Sequence, residues 1–183
     1  PPMTSHSSIE GLPFRKMHGH GNDFVVLDAR ARPHELSTAQ VQAMADRRTG
    51  VGFDQLLIIE PAQGDGDAFM TVRNADGGVV SSCGNGARCV ADVVMDDTGK
   101  DAIVLETLAG TLSASRADNG MVAVDMGPAK LEWQDIPLAM AENTGPVDLV
   151  AGPLSNPGAV SMGHPPAVFL VKVGRAHLGT PGT

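Results

Sequence analysis

The 183 residues carry 21 acidic and 13 basic side chains, a formal net charge of −8, and 42% of them are hydrophobic. The hydrophobic fraction excludes a disordered chain and is sufficient for one substantial core or two smaller lobes. The negative charge argues against nucleic acid and anionic membranes as partners, because both repel an acidic surface. Aromatic residues make up only 3% and tyrosine is absent, which argues against a stacking platform for single-stranded nucleic acid.

The chain contains two cysteines, Cys83 and Cys89. A helix beginning between them would separate them by roughly 9 Å, which is too far for a disulfide. Two unpaired thiols are typical of a reducing compartment, so the sequence predicts a cytoplasmic protein. The sequence contains no run of about 18 apolar residues, so no membrane span is predicted. Residues 1–11 are polar, lack the apolar region of a signal peptide and are interpreted as a flexible tail.

The first third of the chain predicts two short strands and an amphipathic helix. Residues 14–17 and 24–28 read as strands on either side of a glycine-rich turn at 19–23. Ser37 begins a capping-box pattern, and the apolar spacing after it predicts a helix that ends near Thr49.

The middle of the chain predicts an α+β region around one central helix. Residues 55–60 form a continuous apolar run, which is typical of a strand buried on both faces. Apolar residues nearly encircle the segment from Asn85 or Gly86 to Asp97, which predicts a buried helix ending at Thr98. Further strands are predicted at residues 68–73, 103–107, 110–115 and 121–126, with a hairpin turn at 76–78.

Cys83 stands directly before a Gly-Asn-Gly turn and the start of the predicted central helix. The first N–H groups of a helix lack partners within it, so a helix N-terminus binds anions and favours thiolate over thiol. A proton-transfer group and a carboxylate site would therefore share one turn. The alternative is that Cys83 is a small buried hydrophobic residue. Cys89, further along the same helix, is interpreted as a core residue.

The sequence predicts a domain boundary at Gly127 and Pro128. Beyond it the strand pattern weakens, and the glycine-, threonine- and proline-rich end from residue 174 is interpreted as frayed. We therefore predict one lobe over residues 12–127, which contains Cys83, and an incomplete second lobe over 128–183. Candidate strands in the second lobe are residues 136–138, 147–150, 159–162 and 167–171.

Three separated blocks of sequence carry a family signal. They are Lys-Met-His-Gly-His-Gly-Asn-Asp-Phe at residues 16–24, Gly-Val-Gly-Phe-Asp-Gln-Leu at 50–56, and Arg-Asn-Ala-Asp-Gly at 73–77 followed by Cys-Gly-Asn-Gly-Ala-Arg-Cys at 83–89. Together and in this order they closely resemble the diaminopimelate epimerase family. The resemblance extends from Phe14 to about Met126, and a weaker one continues to Gly163.

The resemblance implies two similar lobes, each a mixed β-sheet curled around a central helix, with the active site between them. It implies an isomerase of lysine and cell-wall precursor biosynthesis that interconverts L,L- and meso-diaminopimelate without a cofactor or a metal. One cysteine from each lobe would move a proton on opposite faces of the α-carbon. By resemblance Cys83 is the catalytic residue of the first lobe. The positions that match substrate contacts are Asn22, Gln55, Asn74, Gly84 and Asn85.

Two departures from the family pattern lead us to expect an impaired enzyme with a truncated second lobe. The family's second cysteine, in a Cys-Gly-(Thr/Ser)-Gly turn after a Glu-Arg-Gly segment, has no counterpart among the 183 residues. Where the family has Gly-Asn-Pro-His, this chain has Gly163 followed by His164, so a substrate-contacting asparagine is replaced. One thiol can exchange an α-proton but should invert the carbon poorly.

Two other functions stay open at this stage. A proline racemase-type enzyme also uses paired cysteines without a cofactor, and a truncated non-catalytic remnant would bind a small carboxylate or nothing. His18 and His20 have no further ligands at metal-binding spacing, so no metal is predicted. The expected partner is a small amino-acid substrate, with no nucleic acid and no membrane, and the sequence leaves a homodimer open.

Overall fold

The computed structural model of this protein describes residues 11–136, 138, 144–162 and 166–171. The chain divides into two compact units, one up to Gly127 and one from Pro128, and each is described by itself. The predicted tail up to residue 10, the frayed end from residue 172 and His164 lie outside the described residues.

The first unit is built on one mixed sheet and two helices. The strands follow the order β1-β2-β3-β4-β6-β7-β8, and β5 pairs with the end of β4. The pairs β2/β3 and β4/β6 are parallel, and the other pairs are antiparallel. The elements are β1 (Arg15–Gly19), β2 (Asn22–Asp28), α1 (Thr38–Ala45), β3 (Gln55–Glu60), β4 (Ala68–Asn74), β5 (Val79–Val80), α2 (Gly84–Thr98), β6 (Ala102–Thr107), β7 (Gly110–Arg116) and β8 (Val122–Asp125).

The sheet curls around α2, which contacts both edge strands, β1 and β8, as well as the strands between them. Consecutive apolar residues in β2 and β3 point to opposite faces, so one set packs on α2 and the other on α1. On the α2 side Leu57 and Ile59 join the main core, and on the α1 side Leu56 and Ile58 join a second cluster. The prediction that β3 is buried on both faces is therefore confirmed.

The helix α1 ends earlier than the sequence predicts. Its start is as predicted, because Ser37 accepts a hydrogen bond from the Gln40 backbone N–H in a full capping box. It ends at Ala45 rather than near Thr49, because the Asp46 carboxylate accepts the backbone N–H groups of residues 48 and 49 at 2.8 and 2.7 Å. Such side-chain bonds give the backbone an alternative to another helical turn.

The second unit contains less regular structure than the sequence predicts. Two short antiparallel pairs are present, β9 (Val150–Ala151) with β10 (Leu154–Ser155), and β11 (Gly158–Ala159) with β12 (Ala167–Val168). The candidate strands 147–150, 159–162 and 167–171 are therefore shorter or shifted. Ile136 lies in a turn after the 3₁₀ helix Trp133–Asp135 rather than in a strand.

The physical reason is the lack of a packing partner for these apolar runs. Among the described residues after Gly127, Ile136 and Pro157 are the buried apolar ones, and Leu149, Val150 and Val168 are exposed. A two-stranded pair without a buried face is only marginally stable, so it stays short. No helix within the described part of the chain is both long and apolar enough to cross a membrane.

Candidate functional site

Strand register brings three of the predicted binding residues to one end of the sheet. Gln55 opens β3, and it pairs with Asn74, the last residue of antiparallel β4. Asn22 opens β2, which runs parallel to β3 with Phe24 opposite Gln55. Strand starts and strand ends therefore coincide here, and polar side chains at such positions can face solvent without interrupting the core.

The N-terminus of α2 presents the predicted catalytic residue and the predicted carboxylate-binding turn. Cys83 is the N-cap residue, with φ −148° and ψ 106°, and its Sγ accepts the backbone N–H of Gly86 at 3.3 Å. Gly84 and Asn85 form the first turn that follows. A Cβ on Gly86 would lie 2.8 Å from a Leu57 methyl carbon, so glycine allows the helix start to pack closely on β3. The thiol is half-buried.

Four of the predicted binding residues form two carboxamide pairs. Gln55 Nε2 donates to Asn74 Oδ1 at 2.9 Å, and Asn85 Nδ2 donates to Asn22 Oδ1 at 2.8 Å. The second pair joins the β1–β2 turn to the helix that carries Cys83. The structure thus links residues that the sequence could name only one at a time.

A reciprocal carboxylate brace, which sequence reasoning did not assign, holds the two turns that carry Asn22 and Gln55. The backbone N–H of Asp23 donates to Asp54 Oδ2 at 3.0 Å, and the backbone N–H of Asp54 donates to Asp23 Oδ1 at 3.0 Å. Arg47 bonds both carboxylates, at 2.7 Å to Asp23 and 2.8 Å to Asp54. Both aspartates lie within the family-like blocks, each directly beside a predicted binding residue. That adjacency is the feature of the sequence from which the brace could have been predicted.

The charge balance of this brace keeps Asp23 ionised. The Arg47 guanidinium, and then the Lys16 ammonium at 2.7 Å, hold the pKa of the Asp23 carboxyl well below its usual range, against an opposing effect of partial burial. A carboxylate that is ionised over the whole physiological range accepts hydrogen bonds constantly. The Asp23 carboxylate therefore keeps its bonds to Arg47, Lys16 and the Asp54 backbone N–H near neutral pH.

Arg88 is a second functional candidate that sequence reasoning missed. Its guanidinium donates to Asn85 Oδ1, and its side chain lines an open cavity of about 320 Å³ between β1 and the start of β8. Arg88 follows Asn85 by three residues on α2, a spacing that places the two side chains on one face of the helix. That spacing was the signal in the sequence.

Cys89 lies in the core, as predicted, and differs from Cys83 in its surroundings. It is 6% exposed, its Sγ donates to the backbone oxygen of His18 at 3.8 Å, and burial raises the pKa of the thiol to about 11. Both cysteines are free thiols. Ser82, next to Cys83, is buried, and its hydroxyl has no hydrogen-bond partner among the described residues.

The family model for diaminopimelate epimerase matches residues 14–132. A diaminopimelate epimerase of Phenylobacterium zucineum is 51% identical over 169 residues, which cover 90% of this chain and 61% of the relative. One of Rhodospirillum centenum is 50% identical over 159 residues, which cover 86% of this chain and 55% of the relative. The chain therefore spans little more than half the length of these curated relatives.

Solved structures show the same fold at low sequence identity. A hydroxyproline epimerase from Agrobacterium vitis has a TM-score of 0.54 at 14% identity, covering 80% of this chain and 47% of that chain. A predicted epimerase from Pseudomonas aeruginosa has a TM-score of 0.50 at 20% identity, covering 82% and 54%. The predicted α+β fold, a mixed sheet curled around a central helix, is confirmed. Because the family model covers most of its length, this chain belongs to the diaminopimelate epimerase family.

Proposed function

We propose that this chain carries one half of a diaminopimelate epimerase site, in which Cys83 transfers the α-proton and the N-terminus of α2 binds the α-carboxylate. The supporting observation is the position of Cys83, which caps α2 at the end of the sheet where Asn22, Gln55 and Asn74 gather. Family membership supports diaminopimelate as the substrate. The proposed compartment is the cytoplasm, because two free thiols persist in a reducing medium.

The chemistry follows from where charge collects during proton removal. The Cys83 thiolate takes the α-hydrogen as a proton, so an S–H bond forms while the C–H bond breaks and its electron pair stays on the substrate. That charge delocalises into the α-carboxylate. Backbone N–H groups of Gly84 and Asn85, at the positive end of α2, would stabilise it as it grows. Return of the proton to the same face restores the starting isomer.

Inversion needs a second acid on the opposite face of the carbon. Cys89 does not fit this role, because it is buried in α2 and its pKa is raised to about 11. The loss of one positioned proton-transfer group costs about 10²–10⁴-fold in rate. We therefore propose that this chain exchanges the α-hydrogen of diaminopimelate faster than it inverts the centre.

Incubation with L,L-diaminopimelate in D₂O tests this proposal. Mass spectrometry measures α-deuterium incorporation, and chiral chromatography measures the meso isomer. We expect deuterium to enter faster than the meso isomer appears, and Cys83→Ser to abolish the exchange while Cys89→Ala retains it. Exchange that survives in Cys83→Ser would refute the role of Cys83.

The same experiment separates the two alternative functions. Exchange with L-proline but not with diaminopimelate would favour the proline racemase type. Binding of diaminopimelate without exchange, measured by calorimetry, would identify a non-catalytic remnant. Meso product formed as fast as deuterium enters would contradict the impaired inversion.

A further inference from the structure

A directed chain of hydrogen bonds runs through the candidate site from a cation to an anion. Arg88 donates to Asn85 Oδ1, Asn85 Nδ2 donates to Asn22 Oδ1 at 2.8 Å, and Asn22 Nδ2 donates to Asp54 Oδ2 at 3.4 Å. Arg47 and the Asp23 backbone N–H also donate to the Asp54 carboxylate, at 2.8 and 3.0 Å. In each of these hydrogen bonds the donor lies on the Arg88 side and the acceptor on the Asp54 side.

At the two ends of this hydrogen-bond series, Arg88 and Asp54 cannot exchange the roles of donor and acceptor. A guanidinium has only donors, so the carboxamide of Asn85 must turn its oxygen towards Arg88. An ionised carboxylate has only acceptors, so the carboxamide of Asn22 must turn its nitrogen towards Asp54. A carboxamide between two such fixed ends has one orientation, whereas an isolated one can rotate by 180° with little change in shape.

We propose that Arg88 is a positioning residue that fixes the orientation of the Asn85 and Asn22 carboxamides, so that the site presents an N–H of Asn22, and not its oxygen, to the substrate carboxylate. The Nδ2 atom of Asn22 carries two hydrogens, and Asp54 is its one acceptor among the described residues. The second hydrogen is therefore available to an anion. Asn22 and Asn85 are both half-buried, so a small ligand can reach them.

The second carboxamide pair has a matching polarity. Gln55 Nε2 donates to Asn74 Oδ1, which leaves the Nδ2 of Asn74 and the oxygen of Gln55 without a bond to another described residue. Two carboxamide donors and one carboxamide acceptor are the complement of an amino acid, whose carboxylate accepts and whose ammonium donates. This specificity argument rests on the proposed function, whereas the orientation of the carboxamides does not.

The first test uses the chain without any ligand and follows side-chain NH₂ signals by ¹⁵N-resolved NMR. In the wild type we expect one signal pair each for Asn22 and Asn85, with a cross-relaxation peak from the Asn22 NH₂ to the Asp23 backbone N–H, since both donate to Asp54 Oδ2. Arg88→Ala should weaken that peak and shift both signal pairs. Arg88→Lys, which retains a donor-only group, should restore them.

Two further variants make the test specific. Arg116→Ala is the matched control, because Arg116 bonds Asp92 and Asp96 on the same helix without joining the chain, and it should leave the Asn22 and Asn85 signals in place. Asn85→Asp should shift the Asn22 signals, because a carboxylate at residue 85 cannot donate to the Asn22 oxygen. Unchanged Asn22 signals in both Arg88→Ala and Asn85→Asp, or equal changes in Arg116→Ala, would overturn the proposal.

The second test measures the affinity for meso-diaminopimelate by calorimetry. Arg88→Ala should weaken binding about tenfold, as expected when a hydrogen bond to a charged group is lost, and Arg88→Lys should recover most of it. A wild-type chain that does not bind diaminopimelate would contradict the proposed function, while the NMR signals would still decide the carboxamide orientation. Binding equal in the wild type and Arg88→Ala would overturn the link to the substrate carboxylate.

Discussion

Cys83 and Cys89 lie six residues apart in sequence, but only one of them occupies a helix terminus. Cys83 caps α2 and is half-buried, whereas Cys89 is 6% exposed inside the core. Accessibility and ionisation together decide the reactivity of a thiol, because the thiolate is the nucleophile. Two chemically identical side chains therefore occupy different environments because of one helical boundary.

Alkylation should distinguish the two thiols. With iodoacetamide at pH 8 we expect Cys83 to be labelled first, because a thiol with a pKa of about 11 is ionised only to about one part in a thousand and Cys89 is also shielded. Peptide mass spectrometry over a pH series measures both sites, and labelling in denaturant is the control. Equal or preferential labelling of Cys89 in the folded chain would contradict this prediction.

Glu106 acts as an anchor for a loop rather than as a catalytic acid. It is 8% exposed, and its carboxylate accepts the backbone N–H groups of Gly66, Gln63 and Gly64 at 2.6 to 3.1 Å. These donors, those of Gly66 first, hold the pKa of the Glu106 carboxyl below its usual value. The loop between β3 and β4 is thus organised by one negative charge.

The stabilisation by Glu106 should depend on pH with a definite sign. Because the pKa is lower in the folded state, the contribution is fully present above the unfolded pKa of about 4.3 and is lost as the pH falls through the folded value. Glu106→Gln should therefore lower the melting temperature at pH 7, and the difference from the wild type should shrink below about pH 4. Exposed Glu35→Gln is the control, and a difference that persists to pH 2 would contradict the prediction.

At the scale of elements, the start of α2 depends on its close approach to β3. A Cβ at residue 86 would lie 2.8 and 3.1 Å from the two methyl carbons of Leu57, which is fully buried. Because residue 86 has no side chain, the N-terminus of α2, and with it Cys83, can lie close to β3. A small displacement of this turn would move the thiol relative to β3 and β4.

Gly86→Ala should destabilise the fold by about 1–3 kcal/mol, the usual result of inserting a methyl group into a packed core. Chemical denaturation measures the free energy of unfolding. Gly19→Ala is the matched control, because its nearest contact would be 3.5 Å, an ordinary van der Waals distance. A loss in Gly86→Ala no larger than that in Gly19→Ala would contradict the packing argument.

The sequence predicted those elements whose pattern is set by burial. The bounds of β3 are as predicted because four consecutive apolar residues pack on two faces, and α2 is as predicted because its apolar residues meet the sheet on most sides. The end of α1 was missed because it depends on a local side-chain bond of Asp46. Strands after Gly127 were overpredicted because the apolar runs there find little to pack on among the described residues.

The candidate site could likewise be predicted only in part from the sequence. Each of its binding positions could be named from a motif, because motifs are local in sequence. The links among them could not, because the brace of Asp23 with Asp54 and the bond of Arg88 to Asn85 depend on which turns meet in space. Strand register supplies that information only once the sheet has formed.

On the scale of the whole molecule, the two units differ in how much core they contain. The first unit has two hydrophobic clusters on the two faces of β2 and β3, whereas the described residues of the second contain two buried apolar side chains, Ile136 and Pro157. The free energy of unfolding is derived mainly from buried apolar surface. We therefore expect the first unit to be the more resistant part.

Limited proteolysis with thermolysin, which cuts beside apolar residues, tests this expectation. The first cuts should fall after Gly127, beside exposed residues such as Leu149, Val150 and Leu170. A fragment beginning near Phe14 and ending near Met126 should survive longest, as mapped by mass spectrometry. Early cuts within β2, β3 or α2 that leave the second unit intact would contradict this prediction.

The curl of the sheet around α2 also influences how slowly each backbone amide proton exchanges with solvent. Amide protons in β3, β4 and α2 are enclosed by neighbours and can exchange with solvent only through large unfolding, whereas edge strands β1 and β8 can open locally. The candidate site stands on the first or last residues of β2, β3, β4 and α2. Most of its groups are thus attached to elements whose amide protons we expect to exchange slowly. An arriving ligand would then meet them already ordered, and its binding would lose little free energy to conformational entropy.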